Sequence, residues 1–179
     1  MAYGRGDIDG SIERFQAAVD ADPHNAMALN ALGQALVRAN RVQEALPHFD
    51  QAVALSPATW AYRFNRARAY GLLERWSEAV DEYREAATLF PEDYVTRFNL
   101  ARALQANGDL SGAIDSYRQA IALAPGQPDF LLSLANALET AGQGSEAADA
   151  YRRYLELEPA GPQAEKIKQR MSQLAPATS

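Results

Sequence analysis

Apolar residues recur along this chain of 179 residues at spacings of three and four, the period of one face of an α-helix. The stretch Ala26–Ala39 has its apolar face at Leu29, Leu32 and Leu36. The next stretch, Gln43–Leu55, repeats the spacing, with an apolar face made of Ala45, Phe49, Ala52 and Leu55. The pattern therefore predicts two amphipathic helices joined by a short turn.

The same helix pair recurs at a constant stride, which proline marks most clearly. Five prolines stand 34 residues apart, at Pro23, Pro57, Pro91, Pro125 and Pro159. Proline cannot continue a helix, so each one is predicted to end the second helix of a pair and to fix the turn after it. Self-similarity at a fixed period of this length is typical of an array of repeated units.

Small and aromatic residues keep the same phase. Small residues stand twelve positions before each proline, at Ser11, Ala45, Ala79, Ala113 and Ala147, and twenty-four before the last four, at Gly33, Ala67, Ala101 and Ala135. Aromatic residues stand eight positions before each proline, at Phe15, Phe49, Tyr83, Tyr117 and Tyr151. Small side chains allow two antiparallel helices to approach closely, and we expect the aromatic rings to fill the space that they leave.

The turn between the two helices of a pair also has a signature. Asn40, Gly108 and Gly142 stand there, and these residue types favour the left-handed conformation that ends many helices. Glu74 takes this place in the second full unit, so we expect its turn to be less well specified.

These positions resemble the motif of the tetratricopeptide repeat family, which is W-x2-L-G-x2-Y, then A-x3-F, then P, over about 34 residues. The first full copy here reads Leu29-x2-Leu32-Gly33-x2-Leu36, Ala45-x3-Phe49 and Pro57. The resemblance covers nearly the whole chain. It implies an all-α fold, a right-handed superhelical solenoid of antiparallel helix pairs with about ten helices. In that fold the first helices line a concave groove and the second helices form the convex back.

The stride divides the chain into a truncated repeat (1–25), four full repeats (26–59, 60–93, 94–127 and 128–161), a C-terminal capping helix (162–174) and a disordered tail (175–179). The truncated repeat keeps only a second helix, Asp9–Ala21, with an apolar face that includes Ile12, Phe15 and Val19. An uncovered apolar face predicts weak association of two copies through residues 9–21. The alternative is that a longer parent protein supplies the missing first helix.

Composition limits the class of protein. The chain contains no cysteine, which excludes disulfides and thiolate metal sites. It also lacks the run of about 18 apolar residues that spans a membrane. We therefore expect no cofactor and no membrane insertion, and we place the protein in the cytoplasm, with the periplasm also compatible. The high alanine content and the preference for Arg over Lys are typical of a GC-rich bacterial genome.

Charge segregates by helix in a chain whose net charge is −6. The first helices of the first three full repeats carry six arginines and no acid: Arg38, Arg63, Arg66, Arg68, Arg97 and Arg102. The acids fall on the second helices, where we expect them to be solvated. By the family resemblance the groove would then be basic and would attract an acidic segment of a partner, since a concave surface of one sign steers an oppositely charged ligand.

A Phe-Asn-x2-Arg set recurs at one stride and gives the predicted site. By the family resemblance the groove face carries Asn30, Gln34, Phe64, Asn65, Arg68, Phe98, Asn99, Arg102, Leu132 and Asn136. Asn can hold a peptide backbone through a donor and an acceptor, and Arg can bind a carboxylate through two hydrogen bonds. The alternative for the two phenylalanines is packing between repeats. Arg66, in a column that usually holds Leu, is expected to pair with an acid on its own second helix.

The sequence predicts a scaffold that binds a peptide or protein segment with acidic and apolar residues. We expect no enzyme activity, because the chain has no phosphate loop, no metal-ligand spacing and no nucleophile–base pair. The acidic net charge and the scarcity of Lys argue against nucleic acid as a partner. An alternative is the substrate-recognition region of a larger enzyme such as a glycosyltransferase, because Asn65 and Asn99 match two rungs of the asparagine ladder of such enzymes.

Overall fold

The computed structural model describes residues 3–174, with side chains from residue 7 onward. That part of the chain consists of ten helices and no strand, which confirms the all-α prediction. The helices are α1 (Tyr3–Ala21), α2 (Ala26–Arg38), α3 (Val42–Leu55), α4 (Trp60–Leu72), α5 (Trp76–Leu89), α6 (Tyr94–Ala106), α7 (Leu110–Leu123), α8 (Pro128–Thr140), α9 (Gly144–Leu157) and α10 (Ala164–Leu174).

The helices form two compact units, with the division after Pro91. In the first unit, α2 pairs with α3 and α4 pairs with α5, while α1 lies against α2 and α3 also contacts α4. In the second unit, α6 pairs with α7 and α8 pairs with α9, while α7 contacts α8 and α10 packs on α9. Each unit therefore contains two helix pairs of the kind that the 34-residue stride predicts.

Local sequence sets where the helices begin and end. The side chains of Asn25, Asp93 and Asp109 cap α2, α6 and α7 by accepting a hydrogen bond from a backbone N–H in the first turn. At the other end, α3, α5, α7 and α9 each stop two residues before a proline of the 34-residue series. Their last residues lie where the sequence predicts, because a residue before proline is disfavoured in the helical conformation.

Each turn between paired helices is a Schellman motif, in which the chain closes on the last helical turn through two backbone hydrogen bonds. After α2, the N–H of Arg41 donates to the carbonyl of Leu36 at 2.8 Å, and that of Asn40 donates to Val37 at 3.0 Å. The equivalent bonds recur after α4, α6 and α8. Glu74 has φ +57°, close to the +61° of Asn40. The turn at Glu74 is therefore fully formed, although a residue with a Cβ disfavours this left-handed conformation.

The aromatic column lies in the core of the four full repeats, and at Phe49 the ring packs against the small residue Gly33. Its members in the four full repeats are buried: Phe49, Tyr83, Tyr117 and Tyr151. A Cβ added at Gly33 would lie 2.6 Å from Cε1 of Phe49, so the ring already occupies the space that a side chain would need. The contact between the ring and the small residue therefore fixes how closely the two helices of a pair approach.

Helix α1 differs from the prediction in two respects. It begins at Tyr3, not at Asp9, and it has a neighbour, because α2 packs along it. Val19 is buried in the core cluster and Ile12 packs partly buried against it. Phe15 keeps the aromatic position but is 36% exposed, since no described helix faces it as α2 faces Phe49.

The predicted capping helix is α10, and the tail predicted at 175–179 lies outside the described residues. Between residues 3 and 174, none of the helices has the length and apolar character needed to cross a membrane.

Glu74→Gly should raise the free energy of unfolding by about 0.5–1 kcal/mol. A left-handed residue with a Cβ costs about 1–2 kcal/mol, and the greater backbone entropy of glycine offsets part of that gain. The matched control is Glu85→Gly, the same change at an exposed position inside α5, which should lower stability by about 1 kcal/mol. Urea titrations of the three proteins measure both effects, and a destabilised Glu74→Gly protein would contradict the explanation.

Candidate functional site

In the first unit, α2 and α4 bring the predicted residues Asn30 and Asn65 into contact. The Asn65 Nδ2 donates to the Asn30 Oδ1 at 2.9 Å. Asn30 is only 8% exposed, so its amide positions Asn65 and is not itself open to a ligand. The hydrogen bond uses one N–H of Asn65, and the amide oxygen remains as an acceptor at the edge of the surface.

Gln34, Asn65 and Arg68 surround a small cavity of about 40 Å³, which is enough for about one water molecule. Arg38 also lines it. We name the four residues Gln34, Arg38, Asn65 and Arg68 the α2–α4 patch. Sequence analysis counted Arg38 among the basic residues but did not place it in the site. The signal that could have done so is its spacing of four from Gln34, which puts both side chains on one face of α2.

The six arginines of the first helices have two different roles. Three of them are exposed and form no ion pair with any side chain that the structure describes: Arg38, Arg68 and Arg102. The other three turn toward the second helices. Arg97, for example, donates from Nη1 to Gln119 Oε1 at 2.7 Å. Half of the predicted basic charge is therefore available to a ligand, and half belongs to the fold.

Arg66 is the centre of an ion-pair network that joins α3, α4 and α5. Its guanidinium lies 2.6 Å from Glu82 and 3.0 Å from Asp50, and Arg63 reaches Glu82 at 3.4 Å. Burial lowers the pKa of Arg66, but the hydrogen bonds that it donates to Glu82 and Asp50, together with their charges, outweigh burial and leave the pKa above its ordinary value. The predicted pairing of Arg66 with its own second helix is confirmed. Glu82, which was expected on a solvated face, is instead only 14% exposed.

The two candidate phenylalanines are half-buried and pack against other rings. Phe64 meets Tyr83 edge-on, with 5.6 Å between ring centroids. Phe98 stacks on Phe130 of α8 at 4.3 Å and also lies 5.6 Å from Tyr117. Both rings therefore hold helices together and offer only part of their surface to a ligand.

In the second unit, α6 carries Asn99 and Arg102 on its surface. Asn99 donates from Nδ2 to the carbonyl of Val95 in its own helix at 2.8 Å, so its amide oxygen remains free as an acceptor. Arg102 lies near the buried ring of Tyr117. Burial raises the pKa of Tyr117 to about 12, although the charge of Arg102 lowers it, so the phenol stays protonated at neutral pH.

Leu132 and Asn136 line a cavity of about 210 Å³ between α8, α9 and α10. The Tyr151 hydroxyl lies 2.8 Å from Asn136 Oδ1 and 2.5 Å from Glu139 Oε2. Burial raises the pKa of this phenol most, and the hydrogen bond to Glu139 and the charge of Glu139 raise it further. Arg170 of α10 binds the same carboxylate of Glu139 at 2.7 Å. Lys166 and Arg170 both line this cavity. Sequence analysis did not place these two residues in the site, because the repeat stride does not determine where a capping helix docks.

These surfaces present amide groups, guanidinium groups and ring edges, which bind ligands and do not by themselves perform chemistry. Among residues 3–174, no group of three His, Cys, Asp or Glu side chains is placed to hold a metal ion. Asn65 and Asn99, the two rungs of the possible asparagine ladder, each use an amide N–H within the protein.

The model of the family described as the tetratricopeptide repeat matches residues 2–58, 31–94 and 98–165, which together make up most of the chain. A peroxisomal targeting signal receptor from Candida glabrata is 33% identical over 67 residues. That alignment covers 37% of this chain and 11% of the receptor, so the chain spans only a small part of the length of the curated relatives that it matches.

Two kinds of solved structure resemble the whole fold. The crystal structure of MamA matches with a TM-score of 0.83 and 24% identity, over 92% of this chain and 93% of that one. YrrB matches with a TM-score of 0.75 and 17% identity, over 93% of this chain and 95% of that one. The published description of YrrB is a TPR protein with an unusual peptide-binding site. At these identities the likeness shows the fold.

Glu82→Gln should lower the free energy of unfolding by about 2 kcal/mol. The change leaves Arg66 and Arg63 partly buried without their shared carboxylate, and an uncompensated buried charge is destabilising by up to about 3–5 kcal/mol, which residual solvent access reduces. Glu85→Gln, on the exposed face of the same helix, is the control and should change stability by less than about 0.5 kcal/mol. Equal melting curves for the two variants would show that the network does not stabilise the fold.

Proposed function

The chain belongs to the tetratricopeptide repeat family, and from that premise we propose that it is a protein-interaction scaffold that binds a polypeptide segment on its first helices. Two similar proteins support this class of function. One is a receptor for a targeting signal, and the other is a TPR protein with a peptide-binding site. Both descriptions name recognition of another molecule and no reaction.

The α2–α4 patch is the observation that carries the proposal. It places two exposed arginines, Arg38 and Arg68, next to the amides of Gln34 and Asn65 around one small cavity. Amides can pair with the backbone of an extended peptide, and unpaired guanidinium groups can bind its carboxylates. In a chain of net charge −6, a patch with two free cations and no acid favours an acidic segment.

The second unit carries a similar surface, which widens the proposed specificity. Arg102 is an exposed cation, Asn99 keeps an amide oxygen, and Leu132 adds an apolar contact near Lys166 of α10. The proposed ligand is therefore a segment that combines acidic and apolar side chains. The half-buried rings of Phe64 and Phe98 supply part of the apolar contact.

Arg68→Glu combined with Arg102→Glu should abolish binding of such segments while helicity and melting temperature stay nearly unchanged, because both side chains are exposed and unpaired. The wild type is used to select peptides from a random phage-displayed library, and the selected peptides are then titrated against the double variant. We expect selected sequences rich in Asp, Glu and apolar residues, with affinities that fall as salt increases.

The control for this experiment is Arg84→Glu combined with Arg152→Glu. It makes the same change of charge at exposed arginines on the second helices α5 and α9, so binding should persist. A first-helix variant that binds as tightly as the wild type would refute the proposed site. A first-helix variant that unfolds would show instead that these arginines stabilise the fold.

We also propose weak self-association through residues 9–21. Phe15 is 36% exposed, whereas the residues of its column in the four full repeats are buried. A cavity of about 330 Å³ lies beside it; Ile8, Ala31 and Ala35 line its apolar part, and Asp7, Ser11, Gln34 and Arg38 line its polar part. A ring at a position that is buried in every full repeat, and packed against a small residue at Phe49, is suited to receive a small-residue helix face from a second copy.

Phe15→Glu should make the protein monomeric at concentrations where the wild type begins to associate, because a carboxylate cannot be buried in an apolar contact. Sedimentation equilibrium over a wide range of concentrations measures the effect. Gln16→Glu adds the same charge at the adjacent exposed position and should leave association unchanged. A wild type that stays monomeric at high concentration would refute the proposal.

A further inference from the structure

An open cavity of about 480 Å³ lies between α7, α8 and α9 in the second unit. Its floor is apolar and consists of side chains that are at least 94% buried within the protein: Ile121, Leu134, Leu138 and Ala150. The residues of α8 that line it, Leu134 and Leu138, are on the opposite side of that helix from Leu132 and Asn136, since an offset of two residues is about half a turn. This cavity, which we name the α7–α9 groove, is therefore distinct from the first-helix surfaces. Its volume lies within the range of roughly 300–1,000 Å³ that is common for ligand sites.

The first unit shows what occupies the same position two strides earlier. There Leu134, Leu138 and Ala150 are replaced by Arg66, Tyr70 and Glu82. Arg66 lies 2.6 Å from Glu82 and 3.0 Å from Asp50, and the guanidinium of Arg75 covers the Tyr70 ring at 4.6 Å. Long side chains thus fill the seam between α3 and α5, whereas short apolar side chains leave the seam between α7 and α9 open.

The rim of the groove carries charged side chains, and not all of them are paired. Arg118 lies 2.5 Å from Glu146 and 3.5 Å from Asp115, and Asp149 is paired with Arg152 at 2.6 Å. Arg153 also lines the groove, but it forms no ion pair with any side chain that the structure describes. The groove therefore combines an apolar floor with one cation, Arg153, that has no paired carboxylate among the described side chains, while the rim as a whole is balanced because Asp115 and Glu146 share Arg118.

We propose that the α7–α9 groove is a second binding site, on the second-helix side, for a partner segment that inserts one bulky apolar side chain and places a carboxylate on Arg153. The apolar side chain takes the volume that Arg66 and Tyr70 fill in the first unit. The carboxylate supplies the ion-pair partner that Arg153 lacks. The site is separate from the α2–α4 patch, and neither proposal depends on the other.

The test uses full-length, isotope-labelled protein and three pools of short synthetic peptides. Members of the first pool contain Leu or Phe followed within three residues by Glu. The second pool has Lys in place of Glu, and the third has Ser in place of Leu or Phe. We expect the first pool to shift the amide signals of Ile121, Leu138 and Ala150, and the other two to do so only at much higher concentration.

Two variants test the two parts of the site. Arg153→Glu should weaken binding of the first pool by about fivefold or more, the upper range for one exposed ion pair. Arg84→Glu makes the same change at an exposed position of α5 in the first unit and should leave binding unchanged. Ala122→Trp places a large ring at an exposed position of α7 that lines the groove, so it should fill the groove and abolish binding without burying a charge.

Several results would overturn the proposal. Shifts confined to the signals of Asn65 and Arg102 would place all binding on the first helices. Absence of shifts with every pool, or equal affinity for the Glu and Lys pools, would exclude the proposed ligand chemistry. If the filled variant does not fold, Arg153→Glu and Arg84→Glu decide, and equal affinities for these two proteins would exclude the role of Arg153.

Discussion

The contact between an aromatic ring on each second helix and a small residue on its first helix is the constraint on which the structure depends. The Phe49 ring lies against Gly33 with no space for a Cβ, and Tyr83, Tyr117 and Tyr151 are buried at the equivalent positions. Interiors of proteins are close-packed, so a contact of this kind allows little variation in the distance between the helices. Because the small and aromatic positions recur every 34 residues, we expect the same constraint to hold each helix pair at a similar spacing while its surface residues vary independently.

The exposed side chains depend on that geometry for their placement. Two first helices that lie side by side bring Asn30 against Asn65, and this in turn sets Arg68 beside Gln34 and Arg38. The same rigid spacing creates seams between second helices. Whether a seam is closed or open is then decided by a few residues, Arg66 and Glu82 in one unit and Leu134 and Ala150 in the other.

Sequence alone predicted the elements well, because the signals that define them are local and repeated. Proline fixes the ends of the second helices, and Asn40 or glycine fixes the turns. The side chains of the site were harder to predict, since the stride gives the face of a helix but not the partner of each side chain. Asn30 and Phe98 were assigned to the groove face, yet Asn30 is buried with its amide bound to Asn65, and Phe98 stacks on Phe130. Lys166 and Arg170 were missed because α10 docks outside the periodic pattern.

The difference between the two seams means that the repeats are not interchangeable parts. A helix pair carrying Arg66 and Glu82 needs Asp50 on the preceding second helix, whereas one carrying Leu134 and Ala150 has no use for that carboxylate. Exchanging the pairs would bury an arginine without its acid in one place and expose leucine to a carboxylate in the other. The residues between neighbouring second helices therefore determine which repeats can stand next to each other. Duplication or loss of a single repeat during evolution would require compensating changes in its neighbours.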